Sequence, residues 1–412
     1  MSARVRTSPY SGFRNLLFQL HWLLGISAGL VLALVGATGA LLSFEHAAVQ
    51  ALDPSLDQVQ PAALALSPSQ LVERLQAQRP HAILQTLALS SDPHSAVDAG
   101  LAPPDGGAGR GERVRLDPYT GALLPPPPAQ AFFRDVRALH RWLLAGEVGK
   151  QVVGASTVAL LYFCLSGLYL RWPRGGRHSW RIWLALDWRR KGRAFLWQLH
   201  AVTGTWVLLA YLVMASTGLW WSYGWYRAGL QSLAGMPTAT NTAVVGAGSA
   251  VAPGAASVGT DSPGAESTGA DSDGTDRFDP DAAWNAFTAE VPDWRTATLR
   301  WPDPGAVAQV RYLDAGSPHE RASSTLELHP ATLAVLAHDR YEQRPLAQRV
   351  VGSMFALHRG SFFGLPGVLV FMLASVLMPV FAVSGWMLYL ERRRRKRAMP
   401  VPDGAALATG RS

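Results

Sequence analysis

Four long apolar segments dominate the pattern of hydrophobic and polar positions along this chain. They lie at residues 16–45, 149–172, 196–223 and 366–390, and few charged residues fall inside them. A helix needs about 20 mostly apolar residues to cross the hydrocarbon core of a bilayer. The pattern therefore predicts an α-helical membrane protein with four transmembrane helices. The first segment is too long for a removed signal peptide and lacks its small-residue cleavage site.

The chain contains an internal repeat. Residues 17–25 (LFQLHWLLG) align with residues 196–204 (LWQLHAVTG) at an offset of 179, and residues 138–141 align with residues 356–359 at an offset of 218. The difference of 39 matches a stretch rich in Ala, Gly, Ser and Thr at about 234–276. Because this stretch has no aromatic residue to bury, we expect a disordered insertion. The sequence thus predicts two parallel repeats, each with a helix, a soluble domain and a second helix.

Basic residues mark one side of the predicted membrane. Of the 37 lysines and arginines, 18 lie in or directly beside segments 1–15, 173–195 and 391–412, which hold only three acidic residues. The positive-inside rule places these segments, and so both termini, in the cytoplasm. The net charge of +8 is then a consequence of topology and does not indicate a nucleic-acid surface. A basic face toward anionic lipid of the bilayer is expected.

Two segments, 46–148 and 224–365, remain on the extracytoplasmic side. Each contains a helical pattern followed by strand-like alternation and a turn, so each is predicted to be a small α+β domain. The predicted helices are 68–78 and 281–290, the predicted strands are 82–89, 113–116, 296–301, 306–313 and 325–328, and the turns are 117–121 and 329–333. Asp117 and Gly121 favour the first turn, and neither residue type recurs at the second.

One histidine lies near an end of each predicted span. His21 and His200 occupy matched positions at the cytoplasmic side, and His140 and His358 occupy matched positions at the opposite side. Ionisable residues in membrane helices are costly and usually functional. Neutral imidazole is an axial ligand of haem iron, and two axial imidazoles leave an iron that exchanges electrons without an open site. The sequence therefore predicts two haem sites, one for each matched pair.

Glycines follow two of these histidines at helical spacing. Gly25 and Gly39 lie four and 18 residues after the first histidine, and Gly204 and Gly218 keep this spacing in the second repeat. Both intervals return to the same face of a helix. Glycines on this face would leave room for a flat macrocycle, and close helix packing through small residues is the alternative explanation.

Several other residues are weaker candidates. Arg141 and Arg359 each follow a histidine directly and are either partners of haem propionates or solvated interfacial charges. His46 has no histidine counterpart in the second repeat and is either structural or a spare ligand. Cys164, the single cysteine, excludes an intramolecular disulfide and is expected to be a small core residue.

Motifs for other chemistry are absent from the sequence. It contains no phosphate-binding glycine loop, no C-x-x-C-H site for covalent haem, no H-E-x-x-H zinc site and no dinucleotide fingerprint. We therefore expect two haem b groups, each bound non-covalently. No catalytic residue is predicted, and any reductant must be bound elsewhere or supplied by a partner.

The L-H-x-x-x-G and T-G pattern, the L-H-R and S-G pattern, and the D-P-Y-T-G turn resemble those of the PepSY-associated transmembrane family. The resemblance covers nearly the whole chain except the insertion and the tails. It implies a protein of the bacterial inner membrane that is similar to haem-containing ferric-siderophore reductases. By this resemblance the haem ligands of this chain would be His21, His140, His200 and His358. The family also includes proteins with no known activity, and isolated PepSY domains are associated with peptidase inhibition.

The leading hypothesis is a transmembrane electron conduit that acts as a ferric-siderophore reductase. A cytoplasmic or quinol donor would reduce the haem of His21 and His200, and the electron would pass through the second haem to a ferric siderophore in the periplasm. Fe(II) suits hard oxygen chelators less well than Fe(III), so reduction would favour iron release. The alternatives are a non-enzymatic membrane scaffold that binds or regulates a periplasmic peptidase, and a quinol-linked cytochrome b that serves another partner.

Overall fold

The computed structural model describes residues 9–52, 59–62, 64–103, 111–172, 180–236, 278–303 and 306–398. The helices of this part of the chain are α1 (Pro9–Ser43), α2 (Glu45–Leu52), α3 (Pro68–Gln78), α4 (Pro128–Trp142), α5 (Gly146–Arg171), α6 (Trp180–Leu184), α7 (Gly192–Trp206), α8 (Leu208–Ser222), α9 (Gly224–Leu233), α10 (Pro280–Glu290), α11 (Leu346–Gly352), α12 (Met354–Arg359) and α13 (Gly364–Ala398). The strands are β1 (Leu84–Ser90), β2 (Val97–Leu101), β3 (Arg113–Leu116), β4 (Leu123–Leu124), β5 (Trp294–Arg300), β6 (Ala308–Asp314), β7 (Ser324–Leu328) and β8 (Val335–Asp339). Most of the predicted insertion lies outside the described residues.

Long apolar helices make this chain a multi-pass membrane protein. Within the described ranges, α1, α5 and the helical stretch that contains α13 are each long and apolar enough to cross a bilayer, and α7 with α8 forms a fourth candidate span. The helices α1 and α13 pack closely, because Gly36 has no side chain at a point where a Cβ would lie 2.4 Å from the Cβ of Met378. The spans of the two repeats therefore form a single bundle, with Cys164 buried in its core.

The third predicted span is not one straight helix. It breaks at Val207, and the axes of α7 and α8 differ by 64°. Thr205 hydrogen-bonds the carbonyl of Ala201, one turn earlier, and the guanidinium of Arg171 donates to the same carbonyl. Hydroxyls that bond back to their own helix compete with the backbone ladder and bend helices. The matched stretch of α1 has Ile26 in place of this threonine and stays continuous.

The soluble parts of the two repeats share one sheet, whereas the sequence predicted two separate small domains. The strands of the described chain run antiparallel in the order β4-β3-β2-β1-β5-β6-β7-β8. The repeats meet where β1 pairs with β5, from Thr86 opposite Arg300 to Ser90 opposite Thr296. Each of these strands would otherwise present an unpaired edge, and the pairing removes both edges.

One face of the sheet is covered by α3 and α10. The helices bury Leu71, Leu75 and Phe287 against the strands. They also bond to each other, because the Asp281 carboxylate accepts hydrogen bonds of 2.8 Å from the Ser67 hydroxyl and from the backbone N–H of Ser69. The two repeats therefore form a single sheet domain.

The turn after β7 keeps the geometry of the turn after β3 with different residues. In the first, the Asp117 carboxylate accepts from the backbone N–H of Tyr119 at 2.8 Å. In the second, Nδ1 of His329 takes the place of the carboxylate and accepts from the N–H of Ala331 at 3.2 Å. Leu333 has a φ of 57°, in the left-handed region that Gly121 occupies in the first turn.

A buried histidine joins the sheet domain to α12. Nδ1 of His319 accepts from the backbone N–H of Arg321 at 3.1 Å, so its Nε2–H is directed to the hydroxyls of Tyr341 at 3.1 Å and Ser353 at 3.3 Å. Burial lowers the pKa of His319, the nearby Glu320 opposes this shift, and Arg349 adds to it. The neutral ring thus holds Ser353, the residue before α12.

We expect the protein to lose stability in mild acid through His319. Because its pKa is lowered in the folded state, the unfolded chain binds a proton first as the pH falls below about 6.5. The stabilisation is present above that pH and is lost as the pH falls further. Thermal unfolding of the wild type and of His319→Asn should be compared between about pH 8 and pH 5. Equal pH dependence in the two proteins would contradict the prediction.

Candidate functional site

The four histidines meet as two pairs, and each pair joins the two repeats. The ring centroids of His21 and His200 are 6.5 Å apart with an interplanar angle of 67°. Those of His140 and His358 are 6.3 Å apart with an angle of 69°. The repeat relates the two histidines within each pair. We call the first the arginine-side pair, after the arginines that line its cavity, and the second the sheet-side pair.

The sheet-side pair is oriented by backbone carbonyls. Nδ1 of His140, on α4, lies 3.0 Å from the carbonyl of Val35 on α1. Nδ1 of His358, on α12, lies 3.0 Å from the carbonyl of Met214 on α8. A carbonyl oxygen only accepts, so Nδ1 must carry the hydrogen in both rings. In the neutral imidazole, Nε2 then has the free lone pair that binds a metal.

The arginine-side pair is oriented by serine hydroxyls. Nδ1 of His21 lies 2.8 Å from Oγ of Ser166, and Nδ1 of His200 lies 2.9 Å from Oγ of Ser384. Each hydroxyl donates its own hydrogen to a carbonyl of its helix, so it accepts from the ring. Nδ1 therefore carries the hydrogen here too, and Nε2 has the free lone pair. Such a partner on the second nitrogen fixes a ligating ring and raises its basicity.

The spacing within each pair fits two imidazoles on one metal. With a metal–nitrogen bond of about 2.0 Å and a ring centre roughly 1.1 Å beyond the nitrogen, trans ligands have centroids roughly 6 Å apart. Among the residues with described positions, no group of three or more His, Cys, Asp or Glu side chains is arranged to hold a metal ion. Two axial ligands are what a tetrapyrrole requires, because its own nitrogens fill the other four positions. The residues present therefore fit haem.

The predicted glycines divide into two roles. Gly39 and Gly218 seat the sheet-side rings, since a Cβ there would lie 3.1 Å and 3.5 Å from Cε1 of His140 and His358 respectively. Gly25 and Gly204 line the cavity beside the arginine-side pair, and no atom comes within 4 Å of a Cβ built on Gly25. The prediction that these glycines leave room for a flat macrocycle stays a prediction.

A cavity of about 690 Å³ opens beside the arginine-side pair. His21 and His200 both line it, and aromatic rings flank them. The ring centroids of Phe163 and His21 are 5.1 Å apart, and those of Phe381 and His200 are 5.2 Å apart. Cofactor sites are concave and mostly apolar with a few placed polar groups. The cavity has this character.

The arginines that follow the sheet-side histidines are engaged by the protein. The guanidinium of Arg359 donates to the carbonyl of Ser43 at 2.8 Å and lies 3.8 Å from Glu320. That of Arg141 lies over the ring of Trp142, 4.4 Å from its centroid. His46 is exposed on α2. Arg359 and Arg141, the two predicted propionate partners, thus make contacts within the protein.

Two sets of residues were missed in the sequence. The hydroxyl partners Thr38, Thr217, Ser166 and Ser384 are matched between the repeats, but their role depends on which helix faces which. Four arginines also line the cavity: Arg14, Arg171, Arg193 and Arg392. The available signal was the repeat itself, because two of these arginines precede their histidines by seven residues.

A protein-family model described as the PepSY-associated TM region matches residues 18–392 of the chain. The match spans both repeats, the four histidines and the sheet domain. No curated protein sequence matches the chain.

Proposed function

We propose, given that this chain belongs to the PepSY-associated TM family, that it is an inner-membrane electron conduit that reduces a ferric siderophore. It would hold two haem b groups, one on His21 and His200 and one on His140 and His358. The observation that supports this best is the pair of cross-repeat histidine contacts, in which each ring is held through Nδ1. The enzyme class would be that of a ferric-chelate oxidoreductase.

The two pairs are separated by about the thickness of a membrane core. From His21 to Gly39, which seats His140, α1 rises through 18 residues. At 1.5 Å per residue this is about 27 Å, close to the roughly 30 Å of the hydrocarbon layer. Bound haem would supply one-electron redox chemistry without an open coordination position. One site would then serve each membrane face.

The chain's own residues hold and shield these sites. The Nδ1–H groups of the four histidines donate to fixed oxygens, so the rings keep one tautomer and one orientation. Apolar residues of the bundle, including Phe163 and Phe381, pack beside the arginine-side rings. Rings held in one orientation limit reorganisation when the charge of a site changes.

Charge distribution supports one direction of transfer. The arginine-rich ends of the helices would face the cytoplasm, with both termini, and the sheet domain would lie in the periplasm. Each Fe(III) in the periplasmic siderophore would take up one electron and become Fe(II). A cytoplasmic reductant would supply one electron for each iron, or a quinol would supply two electrons for two irons and release two protons as it becomes a quinone. Fe(II) binds hard oxygen ligands less tightly, so the iron would be released.

The purified protein should contain two haems per chain. Pyridine haemochrome analysis of detergent-purified protein, with visible spectra before and after dithionite, would measure this. His46→Ala is the matched control, because this histidine is exposed and outside both pairs, and it should keep the wild-type content. Colourless protein from haem-replete cells would overturn the proposal and favour a scaffold that binds a periplasmic peptidase.

A further inference from the structure

Four arginines and no acidic residue line the cavity beside His21 and His200. Arg14 and Arg193 lie at the starts of α1 and α7, and Arg171 and Arg392 lie near the ends of α5 and α13. All four are therefore at the same end of the bundle. We call them the arginine cluster. The cavity combines an apolar wall with a cationic end, so it fits a ligand with a flat apolar body and an anionic edge.

The repeat relates two members of the cluster. Arg14 and Arg193 align at the offset of 179 that aligns His21 with His200, so each lies seven residues before its histidine. Seven residues are about two turns, or about 10 Å along the axis, and return to the same face of the helix. Each arginine is thus on the cavity face, displaced from the ligand ring toward the end of the bundle.

Protein acceptors leave much of the cluster's hydrogen-bonding capacity unused. Arg14 donates to the carbonyl of Leu170 at 3.0 Å, and Arg193 has no hydrogen bond or ion pair within the described ranges. Arg171 donates to backbone carbonyls, but its buried Nε has no partner. No carboxylate of the described residues lies within 4.0 Å of the cluster. A guanidinium has five N–H donors, and carboxylates are its best partners.

We propose that the arginine cluster, with Arg14 and Arg193 as its symmetric centre, binds the carboxylates of the cofactor held by His21 and His200. This rests on the proposed function and gives the arginine-side pair anion partners of its own, distinct from Arg141 and Arg359, which adjoin the sheet-side histidines. The arginine cluster would also orient the cofactor, because the cofactor's anionic edge must lie toward the arginine end of the bundle. The phosphate of an anionic lipid offers the same charge, so the test must separate the two sources.

The test uses the full chain with His140→Ala, which leaves only the arginine-side site, expressed without haem. Haem b and its uncharged dimethyl ester are titrated into the purified protein and binding is followed by absorbance. The parent should bind haem b roughly tenfold or more tightly than the ester, because charge-assisted hydrogen bonds are lost with the ester. Arg14→Gln with Arg193→Gln should remove this preference, and the corresponding lysine variants should restore part of it.

Arg393→Gln with Arg394→Gln is the control, because it also removes two positive charges from this end of the bundle, and neither residue lines the cavity. It should keep the preference for haem b. Equal affinity of the parent for the two compounds, or a preference that survives the glutamine changes, would overturn the inference. The inference would also be overturned if native mass spectrometry showed that the glutamine variant had lost a bound anionic phospholipid while it still preferred haem b to the ester. Failure to bind either compound would instead count against the proposed function.

Discussion

His200→Ala is expected to remove one haem and to leave the other in place. The lone remaining imidazole, His21, cannot supply both axial ligands, and the sheet-side pair lies at the other end of the bundle. Haem content should fall from about two to about one per chain, with a matching loss of haem absorbance. His21→Ala should give the same residual spectrum. His140→Ala and His358→Ala should both give the complementary spectrum.

A matched control separates ligation from orientation. Ser384→Ala removes the hydrogen-bond partner of His200 but keeps the ring. Loss of such a partner costs roughly 10–100-fold in metal affinity, so both haems should still be present at saturation. If His21→Ala were neutral while His200→Ala was destructive, the pairing would be wrong.

Outward electron transfer is expected to stop in His140→Ala. Protein in liposomes, reduced from the face that carries the arginine cluster, should reduce an external ferric siderophore, with an external Fe(II) chelator as the readout. In the variant the arginine-side site should still become reduced while external Fe(II) falls to the background rate. The reason is that the sheet-side site is the only predicted redox site at the face where the sheet domain lies.

The inverse orientation provides the control for this experiment. When the reductant is supplied at the sheet-domain face, the sheet-side site should be reduced directly in the wild type, and this signal should be absent from His140→Ala because the site lies at that face. Normal outward transfer in His140→Ala would reject the relay between two sites, even if the native protein contained both haems. Arg141→Gln, which changes the neighbouring residue but not the ring, should transfer at the wild-type rate.

Local elements followed closely from residue patterns. The helix predicted at 68–78 and the strand predicted at 113–116 coincide with α3 and β3. Their signals are a capping serine followed by proline, and alternation of buried and exposed side chains. Strands β2, β4 and β8 were not predicted. In β2 burial alternates, but the strand is only five residues long and contains Asp98 and Gly100, residue types that are rare in strands. β4 has only two residues, and β8 has no alternating burial.

The choice of ligand residues also came from the sequence, because an internal repeat shows which positions are equivalent without any contact being known. The arginines show the limit of this reasoning. Arg141 and Arg359 were chosen because they adjoin histidines, yet neighbours in a helix point in different directions. Arg14 and Arg193, two turns away, share the face of the histidine and line the cavity.

Hydrophobicity, charge and spacing along the chain were enough to identify the apolar spans, the repeat, the basic segments and the four histidines. How these parts meet became visible only in the folded chain. There β1 and β5 join the repeats in one sheet, α7 and α8 bend apart at Val207, and hydroxyls and carbonyls hold Nδ1 of each of the four histidines. Most of these features are contacts between residues 100 or more positions apart, and no local pattern encodes which distant surfaces pack together.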